Sequence, residues 1–522
     1  MKKDADIVIV GAGLSGLVAA LRLAEAGKKV ILLESGSEQP SEIAQALNTG
    51  ETNGDRFTDP GLTRTRALGG TLHQWEIHLK SGVAGGRLVS LEAQDFEGHP
   101  DEELSRWPFS LDELDPYYEQ AKKRLHVDQL CQKPAEQGPL ATKLKGSGFV
   151  FGEYGLADFR DLISRWKLEI GQSENIDLRL NTTVIDYLLN EAGDQILGVV
   201  TKPTDGAAGE EKISAEQVIL AGGVIENARQ LLLHRSHPSW PEGLGNNAGF
   251  VGKAYMDHAI VPLCAVSLPE GLTLRDMVFF DRQQEQQGER IGYMTFAEDF
   301  RKEQDLASLG MIWTPMPKWM HSRGMKALKN VLKGEIGELG KVFTHADEIR
   351  AWLMAKLTRP RLFGLNQVGW TERPEEQNQK EFTHWMIACT VEQWPSLENK
   401  IELSEQKDNF GQEKVKIQWT FGERDRKRLE QTQRKVIEKL NHAGFQAREV
   451  KATNFSGTHH HFGGARMSED SEKGVTDPYG KVHGIENLWL AGNSPACSCG
   501  MVNPALTNVA LTLRLAEELV KR

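Results

Sequence analysis

The first residues of the chain alternate between apolar runs and an amphipathic stretch, in the order strand, helix, strand. Residues 5–10, ADIVIV, are a short β-branched run of the kind that forms a buried parallel strand. LVAALRLAEAG then has the pattern of a helix closed by Gly27, and KKVILLE returns to a strand that ends at Glu34. The pattern predicts two neighbouring strands joined by a helix.

Three glycines lie between the first strand and the first helix, in GxGxxG spacing: Gly11, Gly13 and Gly16. The first permits a tight turn, the second lets the backbone approach a pyrophosphate, and the third lets helix and strand pack closely. The helix N-terminus would face the phosphates, and Glu34 stands where a carboxylate holds ribose hydroxyls. Because the motif has this full context, it predicts a dinucleotide site.

The far end of the chain has a similar architecture. Residues 487–490 form a predicted strand, and a long helix follows with Asn503 as its N-cap. Pro504 takes the first helical position, where its missing N–H has no cost. Residues 218–233 form another strand, glycine turn and helix. We therefore expect one nucleotide-binding domain assembled from both chain ends and a middle segment.

Composition narrows the class of protein. At 522 residues the chain exceeds one ordinary core, and its net charge of −11 argues against nucleic acid as a partner. Five scattered cysteines do not form a disulfide framework, and no apolar run is long enough to be a transmembrane segment. We expect a cytoplasmic protein that is free to form a homo-oligomer.

Several further segments resemble pieces of the glucose–methanol–choline (GMC) family of flavin oxidoreductases. They are RALGGTLHQW (66–75), RWPFSLDELDPYYEQA (106–121), GFVGKAYMDH (249–258), EQWPSLENKIELS (392–404) and GVTDPYGKVHGIENLWLAGNS (474–494). The ending VNPALT is most similar to the pyranose oxidase and gluconate or fructose dehydrogenase branch. The resemblance implies bound FAD and oxidation of an alcohol to a carbonyl.

The resemblance also implies site residues. The family's catalytic histidine falls on His460 in HHFGGARM, and its second catalytic residue falls on Asn503 in VNPALT. In pyranose oxidases a histidine of the glycine loop is attached to the flavin; here Gln74 takes that position, beside His73, so we expect non-covalent FAD. The implied cofactor contacts are Gly11, Gly13, Leu14, Ser15, Gly16, Glu34, Ser35, Gly69, Gly70, Gln74, Trp75, Val184, Ala221, Gly222, Gly492, Asn493, Asn503, Pro504 and Thr507.

Three consecutive histidines, His459, His460 and His461, raise the question of a metal. In an extended chain the outer two point to one side and His460 points to the other. Zinc takes three or four protein ligands, and no CxxC or HxxxH stands nearby, so we predict no metal.

Proton transfer suits the central histidine better. Moving a hydride from an alcohol carbon to flavin N5 builds a partial alkoxide, so a base must take the hydroxyl proton. The ordinary pKa of histidine, near 6.5, fits that task. We predict that His460 is the base and that Asn503 orients the substrate oxygen. His459 and His461 would pack around the base or line the substrate cavity.

The predicted fold is α/β, α+β overall: a Rossmann-like FAD-binding domain assembled from both chain ends, with an inserted substrate domain built on an antiparallel sheet. The predicted divisions are 1–90 and 176–260 for the first two parts of the FAD-binding domain, 91–175 for a cap and connecting helices, 261–450 for the substrate domain, and 451–522 for the C-terminal part of the FAD-binding domain.

Two features of the middle region have competing interpretations. Trp313, Trp370 and Trp385 could stack on a sugar ring, although core packing is the commoner fate of such residues. The stretch 317–334 is locally basic; it favours a solvated helix at a subunit contact or over the active-site entrance rather than a membrane contact.

The predicted reaction is oxidation of a CH–OH group of a sugar, glycoside or polyol, with O2, a quinone or an electron-transfer protein as acceptor. Three alternatives remain open. The substrate could be a non-sugar alcohol of a biosynthetic pathway. The scaffold also hosts lyases and a photodecarboxylase, which keep FAD without substrate-driven reduction. The chain could also be a flavoprotein subunit that passes electrons to a cytochrome.

Overall fold

The computed structural model describes residues 3–75, 78–79, 82–83, 85–99, 102–127, 138–285, 288–317, 323–358, 382–452 and 455–522. Trp370 and one of the five cysteines, Cys131, lie outside these ranges, as does part of the basic stretch 317–334. Within the described residues, no helix combines the length and the apolar character that crossing a bilayer requires.

The strands, in chain order, are β1 (Ala5–Val10), β2 (Val30–Leu33), β3 (Gly50–Gly54), β4 (His78–Leu79), β5 (Gly82–Val83), β6 (Gly85–Leu88), β7 (Phe149–Asp158), β8 (Ile176–Arg179), β9 (Thr182–Leu189), β10 (Ile196–Pro203), β11 (Glu211–Leu220), β12 (Ala259–Ser267), β13 (Arg282–Glu285), β14 (Gly288–Phe296), β15 (Leu309–Pro317), β16 (Phe382–Val391), β17 (Lys400–Lys407), β18 (Glu413–Trp419), β19 (Gln446–Glu449) and β20 (Leu488–Leu490).

The α-helices are Leu14–Glu25, Glu42–Ala46, Pro60–Thr63, Ala93–Glu97, Leu111–Arg124, Pro139–Lys143, Phe159–Gln172, Val224–Leu233, Glu298–Gln304, Arg323–Leu332, Leu339–Thr344, Ala346–Thr358, Glu423–His442 and Pro504–Lys521. Short 3-10 turns occupy Gly70–His73, Glu103–Ser105, Leu274–Phe280 and Ile336–Glu338.

The first sheet joins the two ends of the chain. Its order is β8-β2-β1-β11-β10-β9, and β20 pairs with β11. β1 runs parallel to β2 and β11, and β11 runs parallel to β20, whereas β9 and β10 are antiparallel additions. The assembly of a nucleotide-binding sheet from both ends, predicted from the sequence, is confirmed.

The first and last helices pack against each other beside this sheet. Leu17 and Val509 belong to the same buried core, because each helix turns an apolar face inward. Near the outer end of the pair, Arg22 Nη2 lies 2.7 Å from Glu517 Oε1. The helix contact brings the glycine-rich turn and residue 503, which are almost 500 positions apart in the chain, to the same end of the sheet.

The second sheet is antiparallel, in the order β19-β12-β16-β15-β14-β7-β6, with β13 paired to β14. It covers most of the predicted substrate region, 261–450, but it also takes β6 and β7 from residues 85–88 and 149–158. Those strands pair with residues far along the chain, so local patterning could not reveal that they belong to this sheet.

Trp385 lies in this sheet and is only 1% exposed. Its ring centroid is 6.4 Å from that of Trp313, and both indoles belong to the apolar core between the sheet and the helix Glu423–His442. This placement favours core packing over a substrate contact for Trp385. The large apolar ring fills the core, which was the competing interpretation.

Candidate active site

A cavity opens at the carboxyl ends of β1, β2 and β11, where doubly wound sheets bind nucleotides. Its wall includes Val10, Gly11, Gly13, Leu14, Ser15, Leu33, Glu34, Ser35, Arg64, Thr65, Arg66, Gly70, Thr71, Leu72, Trp75, Thr183, Val184, Ala221, Gly222, Gly223, Glu226, Asn227, Arg229, Asp408, His459, His461, Asn493, Pro504 and Asn508. The cavity therefore unites segments from the start, the middle and the end of the chain.

Most of the predicted cofactor contacts line this cavity, but six do not. Gly16, Gly69, Gln74, Gly492, Asn503 and Thr507 are absent from its wall. Gly16 acts through packing instead, since a Cβ there would lie 1.8 Å from Gly11 O. Thr507 is buried, with Oγ1 3.0 Å from Tyr118 Oη, and Gln74 is exposed to solvent. A direct cofactor contact for Thr507 or Gln74 is not supported by this arrangement.

Glu34 organises the glycine-rich turn. Its carboxylate accepts hydrogen bonds from the backbone N–H groups of Ala12, at 2.8 Å, and Gly36, at 2.7 Å. Burial raises the pKa of this carboxyl group, and the two N–H donors oppose the shift. Gly11, at φ +105°, has a conformation that other residues rarely adopt, so the turn needs glycine there. Glu34 thus holds the turn in place as well as lining the cavity.

The residues present fit a flavin dinucleotide. A Cβ on Gly13 would have only Gly70 Cα as a neighbour, at 3.9 Å, so the backbone at Gly13 is open toward the cavity. Asn493 donates to Pro504 O, while its buried Oδ1 has no partner among the described residues. A donor on a bound group or a water molecule would satisfy such an oxygen. Ser15 also donates to Asn508 Oδ1 at 2.9 Å, which joins the first and last helices at the cavity wall.

The cavity wall also carries a buried ionic cluster, which the sequence analysis missed. Arg66 and Arg229 lie 2.8 and 3.0 Å from the Glu226 carboxylate, Arg64 lies 3.4 Å away, and Arg229 also pairs with Asp408. Burial alone would raise the pKa of Glu226, but the three guanidinium groups outweigh it and lower the pKa far below its usual range. Three cations facing two anions leave a positive balance, which favours an anionic cofactor.

The histidine loop is held by a buried aspartate, Asp257, which lies in the segment GFVGKAYMDH and for which the sequence pattern predicted no role. Asp257 accepts hydrogen bonds from the backbone N–H groups of Thr458, His459 and His460 and from the Thr458 hydroxyl, at 2.9–3.3 Å. His459 has φ +65°, a strained conformation for a residue with a side chain. The four bonds to Asp257 compensate for this strain and set the direction of the three rings.

The outer histidines point one way and the central one points the other, as the alternation predicted. His459 and His461 line the cofactor cavity, where His459 Nδ1 and His461 Nε2 have no partner among the described residues. His460 instead places Nε2 3.2 Å from Asn503 Nδ2, and Nδ1 3.2 Å from Nδ1 of His258. Burial, followed by the neighbouring rings, lowers the pKa of His460 well below its ordinary value.

Asn503 begins the last helix but does not cap it with its side chain. Its backbone takes the N-cap position at φ −66° and ψ 142°, and Pro504 follows at the first helical position. The amide is therefore available for His460, and this contact favours a site role over a helix-cap role for the side chain.

Asp257, His459 and His461 present ligand atoms that all lie within 4.8 Å of one another. The carboxylate is nevertheless engaged in folding the loop, because Oδ1 accepts three hydrogen bonds and Oδ2 accepts one. This use of Asp257 in folding the loop favours no metal, which stays a prediction from the ligand count.

Cys497 and Cys499 are buried free thiols rather than a disulfide. Burial raises the pKa of Cys497 to about 11, so the thiolate that redox chemistry needs is scarce at neutral pH. This arrangement agrees with the sequence-based preference for inert thiols.

Acid is expected to destabilise the folded protein through His258. Burial lowers the pKa of His258 to about 4, from an ordinary value of 6.5. Between these values the unfolded chain binds a proton that the folded chain does not, so stability is fully present above about pH 6.5. As the pH falls toward about 4, the free energy of unfolding loses this contribution of His258, which is ~3 kcal/mol in total.

The measurement is the unfolding temperature of the wild type and of His258→Asn across this acid range. The wild type should unfold at a higher temperature than the variant, and this difference should shrink as the pH falls, because the variant has no imidazole to protonate on unfolding. A constant difference between the two proteins would contradict the assigned shift.

Comparisons with known proteins agree with the cavity and its residues. Residues 6–241 match the FAD dependent oxidoreductase family, and residues 395–512 match the GMC oxidoreductase family. The 6'''-hydroxyparomomycin C oxidase of Streptomyces lividus is 23% identical over 98% of this chain and 90% of its own length. The fructose dehydrogenase large subunit of Gluconobacter japonicus is 22% identical over 99% of this chain and 98% of its own length.

A solved structure with a similar fold is pyridoxine 4-oxidase from Mesorbium loti, with a TM-score of 0.57 and 16% identity over 99% of this chain and 100% of that one. The two family matches thus agree with the fold: a nucleotide-binding sheet assembled from both chain ends, with a cavity at the carboxyl ends of its strands. The chain is therefore an FAD-dependent oxidoreductase acting on CH–OH donors, and its residues 395–512 match the GMC oxidoreductases.

Proposed function

We propose that this enzyme oxidises a CH–OH group of a sugar, glycoside or polyol to a carbonyl, with His460 as the base. The observation that carries the proposal is the pair formed by His460 Nε2 and Asn503 Nδ2, 3.2 Å apart. The pair lies where the last helix begins, and the next residue, Pro504, lines the cofactor cavity. A proton acceptor and a hydrogen-bond donor thus stand together beside the cavity.

The two side chains have complementary tasks. A substrate hydroxyl near both groups would give its proton to His460 Nε2 while its oxygen accepts a hydrogen bond from Asn503. When bound, FAD supplies the acceptor for the hydride that leaves the substrate carbon. Since the low pKa of His460 leaves the ring neutral at neutral pH, the base is present without prior deprotonation.

The substrate class rests on the relatives that span nearly the whole chain. Two of them are named for a hydroxyparomomycin and for fructose, both molecules with many hydroxyl groups. Their names include an oxidase and a dehydrogenase, so an acceptor is implied, and we propose O2, a quinone or an electron-transfer protein. The free nitrogens of His459 and His461 would serve the cofactor or the substrate from the cavity side.

The test is anaerobic. The yellow holoenzyme is mixed with sugars, glycosides, polyols and simple alcohols, and the loss of flavin absorbance is followed over time. Bleaching by polyhydroxy compounds supports the proposal, and admission of O2 then shows whether oxygen is an acceptor. Bleaching only by a non-sugar alcohol, or no bleaching by any compound, would overturn the proposed substrate class.

Asn503→Ala is expected to slow substrate-driven flavin reduction by ~100-fold, comparable to the loss of one positioned oxyanion donor. It should leave the unfolding temperature nearly unchanged, because the side chain makes no capping bond that the substitution could remove. The measurement combines rapid-mixing absorbance with thermal unfolding. A large loss of stability with an unchanged rate per bound flavin would show that Asn503 is structural.

A further inference from the structure

His258 lies directly behind the proposed base and is fully buried, with no exposed surface. It immediately precedes β12, and its ring spans two neighbours. On one side Nδ1 lies 3.2 Å from His460 Nδ1, and on the other Nε2 lies 2.8 Å from Gly500 O and 3.3 Å from Cys499 O. The ring therefore connects the base to the backbone just before the last helix.

These contacts determine which nitrogens carry hydrogen. A carbonyl oxygen can only accept, so His258 Nε2 carries the hydrogen and donates it. In a neutral ring the other nitrogen, Nδ1, then has only a lone pair. His460 Nδ1 must therefore be the donor in the contact between the two rings, and His460 Nε2 is left with a lone pair, which faces Asn503.

We propose that His258 is a positioning residue that holds His460 in the one neutral tautomer able to take a proton from substrate. This inference rests on the proposed function of His460. The step needs no further transfer to His258, and burial disfavours a charged His258 ring. The proton from the substrate hydroxyl stays on His460 Nε2, and the bond from His460 Nδ1 to His258 becomes charge-assisted.

The electrostatic surroundings agree with a neutral His258. Burial lowers its pKa to about 4, and the acid that acts on it most, Glu392, only partly opposes this shift. The groups that act on His460 are His258, His461, His459 and the cation of Arg87, and all of them lower its pKa. A protonated His258 would donate from both nitrogens and would force the opposite tautomer on His460.

The test compares two substitutions of similar shape. His258→Leu and His258→Asn both remove the ring and its donation to Gly500, but only asparagine keeps an acceptor near the former Nδ1. We expect His258→Leu to slow anaerobic flavin reduction by ~100-fold or more, since a misplaced tautomer is costly in other histidine bases. His258→Asn should recover most of that loss, while the substrate concentration for half-maximal reduction stays similar in both.

Three controls make the outcome decisive. FAD content, read from visible absorbance, shows that each variant is folded. His234→Leu removes a buried histidine that contacts Asp186 instead of the site, and it should leave the rate unchanged. His460→Ala separates the two proposals. If His460→Ala is slow but His258→Leu and His258→Asn have equal rates, only the role of His258 is overturned. A normal His460→Ala rate overturns both.

If His258→Leu does not fold, the wild type itself provides the readout. Nitrogen-15 NMR of the histidine-labelled holoenzyme, with the His460 signals identified by their absence from His460→Ala, reports which ring nitrogen is protonated. Hydrogen on His460 Nδ1 supports the inference. Hydrogen on His460 Nε2 near neutral pH would overturn it.

Discussion

Replacing His460 by alanine is expected to slow reduction of the bound flavin by substrate by ~100- to 10,000-fold. The imidazole is the proton acceptor beside Asn503, and alanine leaves no group in its place. FAD should remain bound, because His460 does not line the cofactor cavity and the loop is held through backbone N–H groups by Asp257. The measurement is single-turnover reduction under anaerobic conditions.

His459→Ala is the matched control for this substitution. It changes the neighbouring histidine of the same loop, whose ring turns toward the cofactor cavity and whose backbone bond to Asp257 is kept. Its effect on the rate should be much smaller. A His460→Ala enzyme that holds FAD and is reduced at nearly the normal rate would contradict the assignment of the base.

The pH dependence of the same step follows from the pKa of His460. Because burial lowers that pKa well below the ordinary value, the wild-type rate should be flat through neutral pH. It should fall only in acid, where protonation removes the lone pair of the base. A rate that falls with an apparent pKa near 6.5 or above would show that the base is not this buried ring.

Gly13→Val is expected to abolish FAD binding while the protein still folds. The backbone of Gly13 has φ −77°, which valine can adopt, and a Cβ there would meet no protein atom closer than 3.9 Å. The space that a valine side chain would fill belongs to the cavity, where the backbone must approach the pyrophosphate closely. We expect colourless protein whose circular dichroism resembles that of wild-type protein from which FAD has been removed.

Two other glycines make the comparison specific. Gly171→Ala changes a helical glycine with no atom near the added methyl group, so it should keep FAD and stabilise the helix by about 0.5–1 kcal/mol. Gly16→Ala would place a Cβ 1.8 Å from Gly11 O, so it should disturb the fold itself. Yellow, active Gly13→Val protein would contradict the placement of the cofactor.

The local elements were largely predictable from short stretches of sequence. The strand at Ala5–Val10 and the start of the last helix at Pro504 agree with the predicted bounds, since apolar periodicity and proline act within a few residues. The first helix was also predicted, but it begins at Leu14, three residues before the predicted start. The prediction that His460 points away from its neighbours assumed an extended chain, whereas His459 has φ +65°.

The neighbours of the histidines were not predictable in this way. Asp257 and His258 precede His460 by about 200 residues, and they reach it only because bridges between Met256 and Phe462 and between Ala259 and Gly457 dock the loop beside β12. Likewise β6 and β7 joined a sheet whose other strands lie far along the chain, and Trp385 entered its core instead of the site.

The catalytic candidates came from the resemblance to the GMC family, whereas the sequence by itself determined the glycine-rich turn and the carboxylate at the end of β2. Each of these depends on backbone geometry and side-chain chemistry over short distances. Only the tertiary structure decided which nitrogen of His460 faces Asn503 and which residues support that ring. Those features arise from hydrogen bonds and burial among groups brought together by folding, and no local pattern encodes them.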